Sequence, residues 1–118
     1  MTYKLAEQLR TLAETIASRR GGDPDQSYTA RLLARGPAQA AKKFGEEAVE
    51  LVVAATQADP AAVAAESADV LYHWLVLLEA CGVSADAVGD ALHQRTGRSG
   101  LEEKASRTPT SPSSSGGA

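Results

Sequence analysis

Aromatic residues make up only 4% of this 118-residue chain, although 43% of it is hydrophobic. The core must therefore be built from Ala, Leu and Val, a composition suited to closely packed helices. Cysteine occurs once, at Cys81. No intrachain disulfide can form, which leaves an intermolecular bridge open and indicates a reducing compartment. Cys81 is expected in the core. Positive charge is not in excess: a net charge of -3 provides no basic field for a duplex, so no nucleic-acid partner is expected. No apolar run reaches the roughly 18 residues of a membrane span. Met1 to Leu12 alternates charge with leucine rather than forming a signal peptide. No membrane partner is expected, and the location should be cytoplasmic.

The patterns that are present are helical. Leu5, Leu9, Leu12 and Ile16 form an apolar stripe along residues 3–19, and Gly21-Gly22-Asp23-Pro24 ends that helix. A polar loop leads to Ser27-Tyr28-Thr29, where either Ser27 or Thr29 can cap a short helix or meet a substrate. Residues 30–34 allow about two turns before Gly36-Pro37 breaks the chain. A third helix starts at Pro37 and runs to about Gln57. Ala58-Asp59-Pro60 reads as a stop, an N-cap and a first-turn proline, so the chain folds back as an antiparallel hairpin. The fourth helix, about 60–81, carries two apolar stripes, one of Ala64, Ala68, Leu71, Leu75 and Leu78, the other of Val70, Trp74 and Leu77. Burial on two sides calls for a second chain, and a homodimer is the simplest answer. Gly82 ends this helix, and Ser84 opens a fifth with Val88 and Leu92 facing in. The fold class is thus all-α, a bundle of about five helices completed by dimerisation around a four-helix core. Residues 1–96 form its domain, and the Ser-, Pro- and Gly-rich stretch 97–118 is expected to be disordered.

Chemistry concentrates on the hairpin. Glu47 and Glu50 share one face of the third helix, and Glu66 and Asp69 share one face of the fourth. Glu47 pairs in depth with Asp69, and Glu50 with Glu66, because both pairs are centred on residue 58. The four carboxylates therefore fall at one level. Turned inward, they repel unless cations or protons neutralise them, and an all-oxygen set suits Mg²⁺ or Mn²⁺ rather than zinc. Turned outward, they are merely the solvated acidic faces of a helical hairpin. Glu46 stands about 100° from Glu47 around the helix. It is open to a role as second-metal ligand, as water-activating base or as a plain surface acid. Lys42 and Lys43, about a turn earlier, can hold phosphate oxygens or simply be solvated. Gly45 costs the helix about 1 kcal/mol relative to Ala; close approach of a backbone or a phosphate would account for it. His73, four residues after Asp69, reaches the same site or packs as a hydrogen-bonded core residue.

Taken together, Ser27-Tyr28-Thr29, Lys43-x-Gly45-Glu46-Glu47-x-x-Glu50 and Glu66-x-x-Asp69-x-x-Tyr72-His73 resemble the phosphoribosyl-ATP pyrophosphohydrolases. These are the histidine-biosynthesis members of the all-α, MazG-like nucleoside triphosphate pyrophosphohydrolases. The resemblance covers roughly residues 3–96 and leaves the tail uncovered. It implies Mg²⁺ ligands at Glu47, Glu50, Glu66 and Asp69, and a small-molecule nucleotide as substrate. The implied reaction is hydrolysis of phosphoribosyl-ATP to phosphoribosyl-AMP and pyrophosphate. Glu46, Glu47 and Glu50 are then the catalytic acids, while Lys42, Lys43, Ser27, Tyr28, Thr29, Tyr72 and His73 form the substrate-binding set. A fused cyclohydrolase domain is excluded by length and by the scarcity of Cys and His.

A housekeeping pyrophosphohydrolase of the same superfamily would share the metal half of the site; the Ser27-Tyr28-Thr29 loop and the Tyr72-His73 pair favour the histidine-pathway branch. A di-iron carboxylate bundle requires Glu-x-x-His pairs, and this chain has Val70 where such a pair would need its acid. A helical interaction module with solvated acids would gain no thermal stability from Mg²⁺, whereas a metal site would.

Overall fold

A computed structural model of the chain describes residues 3–97. The expected disordered tail lies, from residue 98 onward, outside the described residues. Five helices follow in order: α1 (Lys4–Ser18), α2 (Tyr28–Arg35), α3 (Pro37–Thr56), α4 (Pro60–Cys81) and α5 (Ala85–Thr96). No strand occurs among the described residues, and the fold is all-α.

Each helix boundary has a local cause. Ser27 holds an extended backbone and accepts a hydrogen bond from the Ala30 amide at 3.1 Å, so it caps α2 and draws Tyr28 and Thr29 into the helix. The short helix therefore starts two residues earlier than the Ala30 expected from sequence. Pro37 and Pro60 each sit in a first turn, where a missing amide costs nothing. The Asp59 carboxylate accepts from the amides of Ala61 and Ala62 at 3.1 and 3.3 Å. Ala58, immediately before it, adopts a left-handed φ of 55° to end α3. Gly82, also left-handed, closes α4 with the Val83 amide bonded to the Leu78 carbonyl at 2.9 Å.

The most extensive packing is between α3 and α4, and α1 and α2 both lie against α4. Ile16, Leu32, Leu33, Ala40, Leu75 and Val76 form the buried cluster, with Leu9, Leu12, Tyr72, Trp74, Leu77 and Leu78 packed around it. Arg20 ties the loop after α1 to the end of α4 through its Nε, 2.8 Å from Glu79 Oε2, and a second bond to the Glu79 carbonyl. Leu5, on the expected α1 stripe, remains exposed. Cys81 is exposed rather than buried, because it is the last residue of α4 and stands beyond the packed turns.

By length and mean hydropathy alone α4 is apolar enough to cross a membrane, although Glu66 and Asp69 interrupt its apolar residues. Three helices pack on it and it carries Glu66 and Asp69, as befits the central helix of a bundle. A second compact unit begins at Asp86 and contains nearly all of α5. Asp86 in its first turn and His93 and Arg95 in its last complement the helix dipole. Within it Val88 is half-buried, but Leu92, expected to face in, is exposed.

Candidate active site

The hairpin turn sets the register of the acids. With α3 and α4 packed antiparallel about Ala58 and Asp59, carboxylate oxygens of Glu47, Glu66 and Asp69 come within 4.8 Å of one another. Glu47 is well enclosed, its side chain 12% exposed, while Asp69 is open to solvent. Glu66 is the strained member. Its Oε1 has no accessible surface and no hydrogen-bond partner among the described residues. Loss of solvation raises the Glu66 pKa above the usual carboxylate value, and the charges of Glu50, Asp69 and Glu47 push it further the same way. Glu50 is thus close enough to repel Glu66, although it lies outside the trio and is exposed.

An orphaned carboxylate oxygen beside two more carboxylates is an unstable arrangement for a protein alone. It fits a hard divalent cation, for which oxygen donors of this kind are the preferred partners.

The two lysines differ. Lys43 places its Nζ 3.7 Å from Glu47 Oε2 and 3.9 Å from Glu46 Oε1, at spacings of four and three residues along α3. Lys42 is exposed and makes no ion pair among the described residues. Spacing does not make that distinction, because Lys42 stands four residues before Glu46 just as Lys43 stands four before Glu47. Glu46 is about half exposed on the outer side of the same turn. Gly45 has open space where a Cβ would be, so no other part of the protomer approaches it. The close approach expected there is not made within the described chain.

On the α2 side, His73 is only 7% exposed and makes T-shaped contacts with two tyrosine rings. The ring centroids of Tyr72 and Tyr28 are 4.9 and 6.5 Å from it, at 79° and 87°. Burial lowers the His73 pKa against the opposing pull of Glu47 and Asp69, with Lys43 adding to the lowering, so the imidazole is neutral near pH 7. The Tyr72 hydroxyl lies 2.5 Å from Thr29 Oγ1. Burial raises the Tyr72 pKa, and Tyr28 reinforces the effect that the Thr29 bond opposes. Ser27 spends its hydroxyl on the helix cap. The mutual Thr29–Tyr72 bond is a feature that sequence gave no means to foresee, since it joins residues 43 positions apart.

Comparison with known proteins identifies the family. The model of the phosphoribosyl-ATP pyrophosphohydrolase family matches residues 9–96. A Caulobacter protein named phosphoribosyl-ATP pyrophosphatase is 62% identical over 104 residues, covering 88% of this chain and 96% of its own. Proteins of the same name from Methylobacterium radiotolerans and Paracoccus denitrificans are 57% and 56% identical. The matches span 88% of this chain and 97% of the first relative, and 84% of this chain and 92% of the second. This chain belongs to the phosphoribosyl-ATP pyrophosphohydrolase family.

Proposed function

We infer that this chain hydrolyses phosphoribosyl-ATP to phosphoribosyl-AMP and pyrophosphate, the second step of histidine biosynthesis, as a cytoplasmic enzyme. Its family membership supports the substrate. The observation that carries the chemistry is the orphaned Glu66 oxygen among the carboxylates of Glu47 and Asp69.

Glu47, Glu66 and Asp69, with Glu50 completing the set, would hold Mg²⁺, or Mn²⁺ in its place. Bound there, the ion supplies charge neutralisation at the phosphate oxygens and lowers the pKa of the attacking water. The protein's own groups do the rest. Water oxygen attacks phosphorus, the anhydride bond breaks, and pyrophosphate leaves with the electron pair. Glu46, half exposed on the turn that carries Glu47, takes the water's proton or holds a second ion. Lys43 and Lys42 offset negative charge on the leaving pyrophosphate. Tyr28, exposed and edge-on to His73, offers a ring to the substrate. Thr29, Tyr72 and His73 shape the neighbouring wall through the Thr29–Tyr72 bond and the Tyr72–His73 ring contact, and Ser27 caps the helix that carries Thr29.

The active form is proposed to be a homodimer. Val49 and Val52 on α3 are 62% and 61% exposed, Val53 beside them is also open, and Val70, Trp74 and Leu77 on α4 are only half-buried. A second hairpin laid on this surface would complete a four-helix core.

Pyrophosphate release tests the reading. Purified protein is incubated with phosphoribosyl-ATP and, separately, with a panel of nucleoside triphosphates, with Mg²⁺ and with chelator. Metal-dependent release from phosphoribosyl-ATP alone is expected. Release from the triphosphate panel instead would transfer the site to a housekeeping substrate, and release from neither would return the acids to a solvated surface.

A further inference from the structure

We propose that Lys43 is a tethered counterion that pairs with the Glu47 corner of the carboxylate site before a divalent ion enters and turns to the nucleotide's phosphates afterwards, coupling the two binding events through one side chain. The proposal rests on the reading of Glu47, Glu66 and Asp69 as a divalent-ion site.

The Lys43 ammonium lies 3.7 and 3.9 Å from its two carboxylates, beyond hydrogen-bond range, so it is held by charge rather than by a directed bond. One of those carboxylates belongs to Glu47, a member of the trio, so the single positive charge pairs with two carboxylates, one of which stands beside Glu66 and Asp69. A surface Lys–Glu pair contributes little. This pair differs because Glu47 is enclosed and an unpartnered Glu66 oxygen stands beside it. A divalent ion among Glu47, Glu66 and Asp69 would draw off the negative charge that holds Lys43 and would itself repel the ammonium. A four-carbon stem with freely rotating bonds lets the ammonium move without any change in the helix. The phosphate oxygens arriving with the nucleotide are the anions within its reach. Lys42, one residue earlier and without an ion pair among the described residues, lacks the first half of this cycle.

The test uses the full chain and separates ion binding from turnover. Isothermal titration with Mn²⁺ or Mg²⁺ alone compares wild type, Lys43→Met and Lys43→Arg. Without nucleotide, Lys43→Met is expected to bind the ion about three- to tenfold more tightly, because a competing positive charge has gone. At saturating ion the same variant is expected to show a KM for phosphoribosyl-ATP raised about tenfold, with a smaller change in kcat. Lys43→Arg should restore both toward wild type and shows that the fold tolerates changes at this position. Ion affinity that Lys43→Met leaves unchanged or weakens overturns the proposal, as does tighter ion binding with an unaltered KM. A wild-type protein that binds no ion overturns the ion-site reading itself, a result distinguishable from the others before any substrate is added.

Discussion

The hydroxyls of Thr29 and Tyr72 lie 2.5 Å apart and satisfy each other, joining the first turn of α2 to the middle of α4 next to the ring of buried His73. Removing either partner leaves a part-buried hydroxyl without its bond. Thr29→Val and Tyr72→Phe are each expected to cost about 1 kcal/mol. The double variant should cost less than their sum, with a coupling of about 0.5–1.5 kcal/mol. Urea unfolding of the four proteins measures that cycle, and additive losses would show that the two hydroxyls act separately.

Glu66 makes the ion-free protein sensitive to pH in an unusual direction. Its folded pKa is raised above the ordinary 4.5, first by lost solvation and then by Glu50, Asp69 and Glu47. Between the unfolded and folded values the native state binds more protons than the unfolded one, so stability falls as pH rises through that window. In chelator, wild type should lose melting temperature relative to Glu66→Gln as pH is taken upward from about 4.5. Saturating Mg²⁺ should restore wild type and leave the variant behind. Parallel pH profiles in chelator would remove Glu66 from the strained cluster.

Much of this arrangement was legible in the sequence because it depends on local rules. Asp59 before Pro60 is a helix start by backbone chemistry alone, and once the turn is placed there, helical spacing brings Glu47, Glu66 and Asp69 together. The same reasoning placed Glu50 equally with them. It misses that antiparallel helices fix depth but not the rotation of each side chain about its axis, which leaves Glu50 exposed outside the trio. Cys81 and Leu92 read as inward-facing, yet both are exposed: Cys81 ends α4 beyond its packed turns, and an apolar side chain such as Leu92 is buried only where something covers it. The Thr29–Tyr72 bond was illegible for the same reason: it depends on the packing of α2 on α4, not on any spacing within either.

Val52 tests the second copy. It stands 61% exposed, between Val49 and Val53 on one face of α3. Burial of a valine in an interface contributes about 1.5 kcal/mol or more, and a buried unpaired charge opposes association. Val52→Glu is expected to turn a dimer into a monomer in sedimentation velocity at micromolar concentration, with helix content retained in circular dichroism. A wild type that already sediments as a monomer would overturn the proposed dimer, and a dimer that Val52→Glu leaves intact would move the interface to another face.

Ala58 carries a backbone cost that glycine would not. At φ 55° a Cβ residue is disfavoured by about 1–2 kcal/mol, and part of that gain is returned because glycine loses more freedom on folding. Ala58→Gly is therefore expected to stabilise the protein by about 0.5–1 kcal/mol and raise its melting temperature by a few degrees. The hairpin register, and with it pyrophosphate release, should be retained. A loss of stability would mean that the alanine methyl makes a contact outweighing its strain.

Glu50 separates a ligand from a bystander. It is exposed and lies outside the three converging oxygens, yet its charge ranks first among those acting on Glu66. Glu50→Gln removes that repulsion, so in chelator the variant should melt at the same temperature as wild type or slightly higher. If Glu50 swings in to complete the ion's coordination, the same change should weaken Mg²⁺ binding and reduce turnover about 100-fold or more. Calorimetry in chelator, ion titration and pyrophosphate release read these three quantities independently. A stable fold with lost ion affinity identifies a ligand that rotates into place on binding. Full activity would confine Glu50 to an electrostatic neighbour and leave Glu47, Glu66 and Asp69 as the carboxylates that hold the ion.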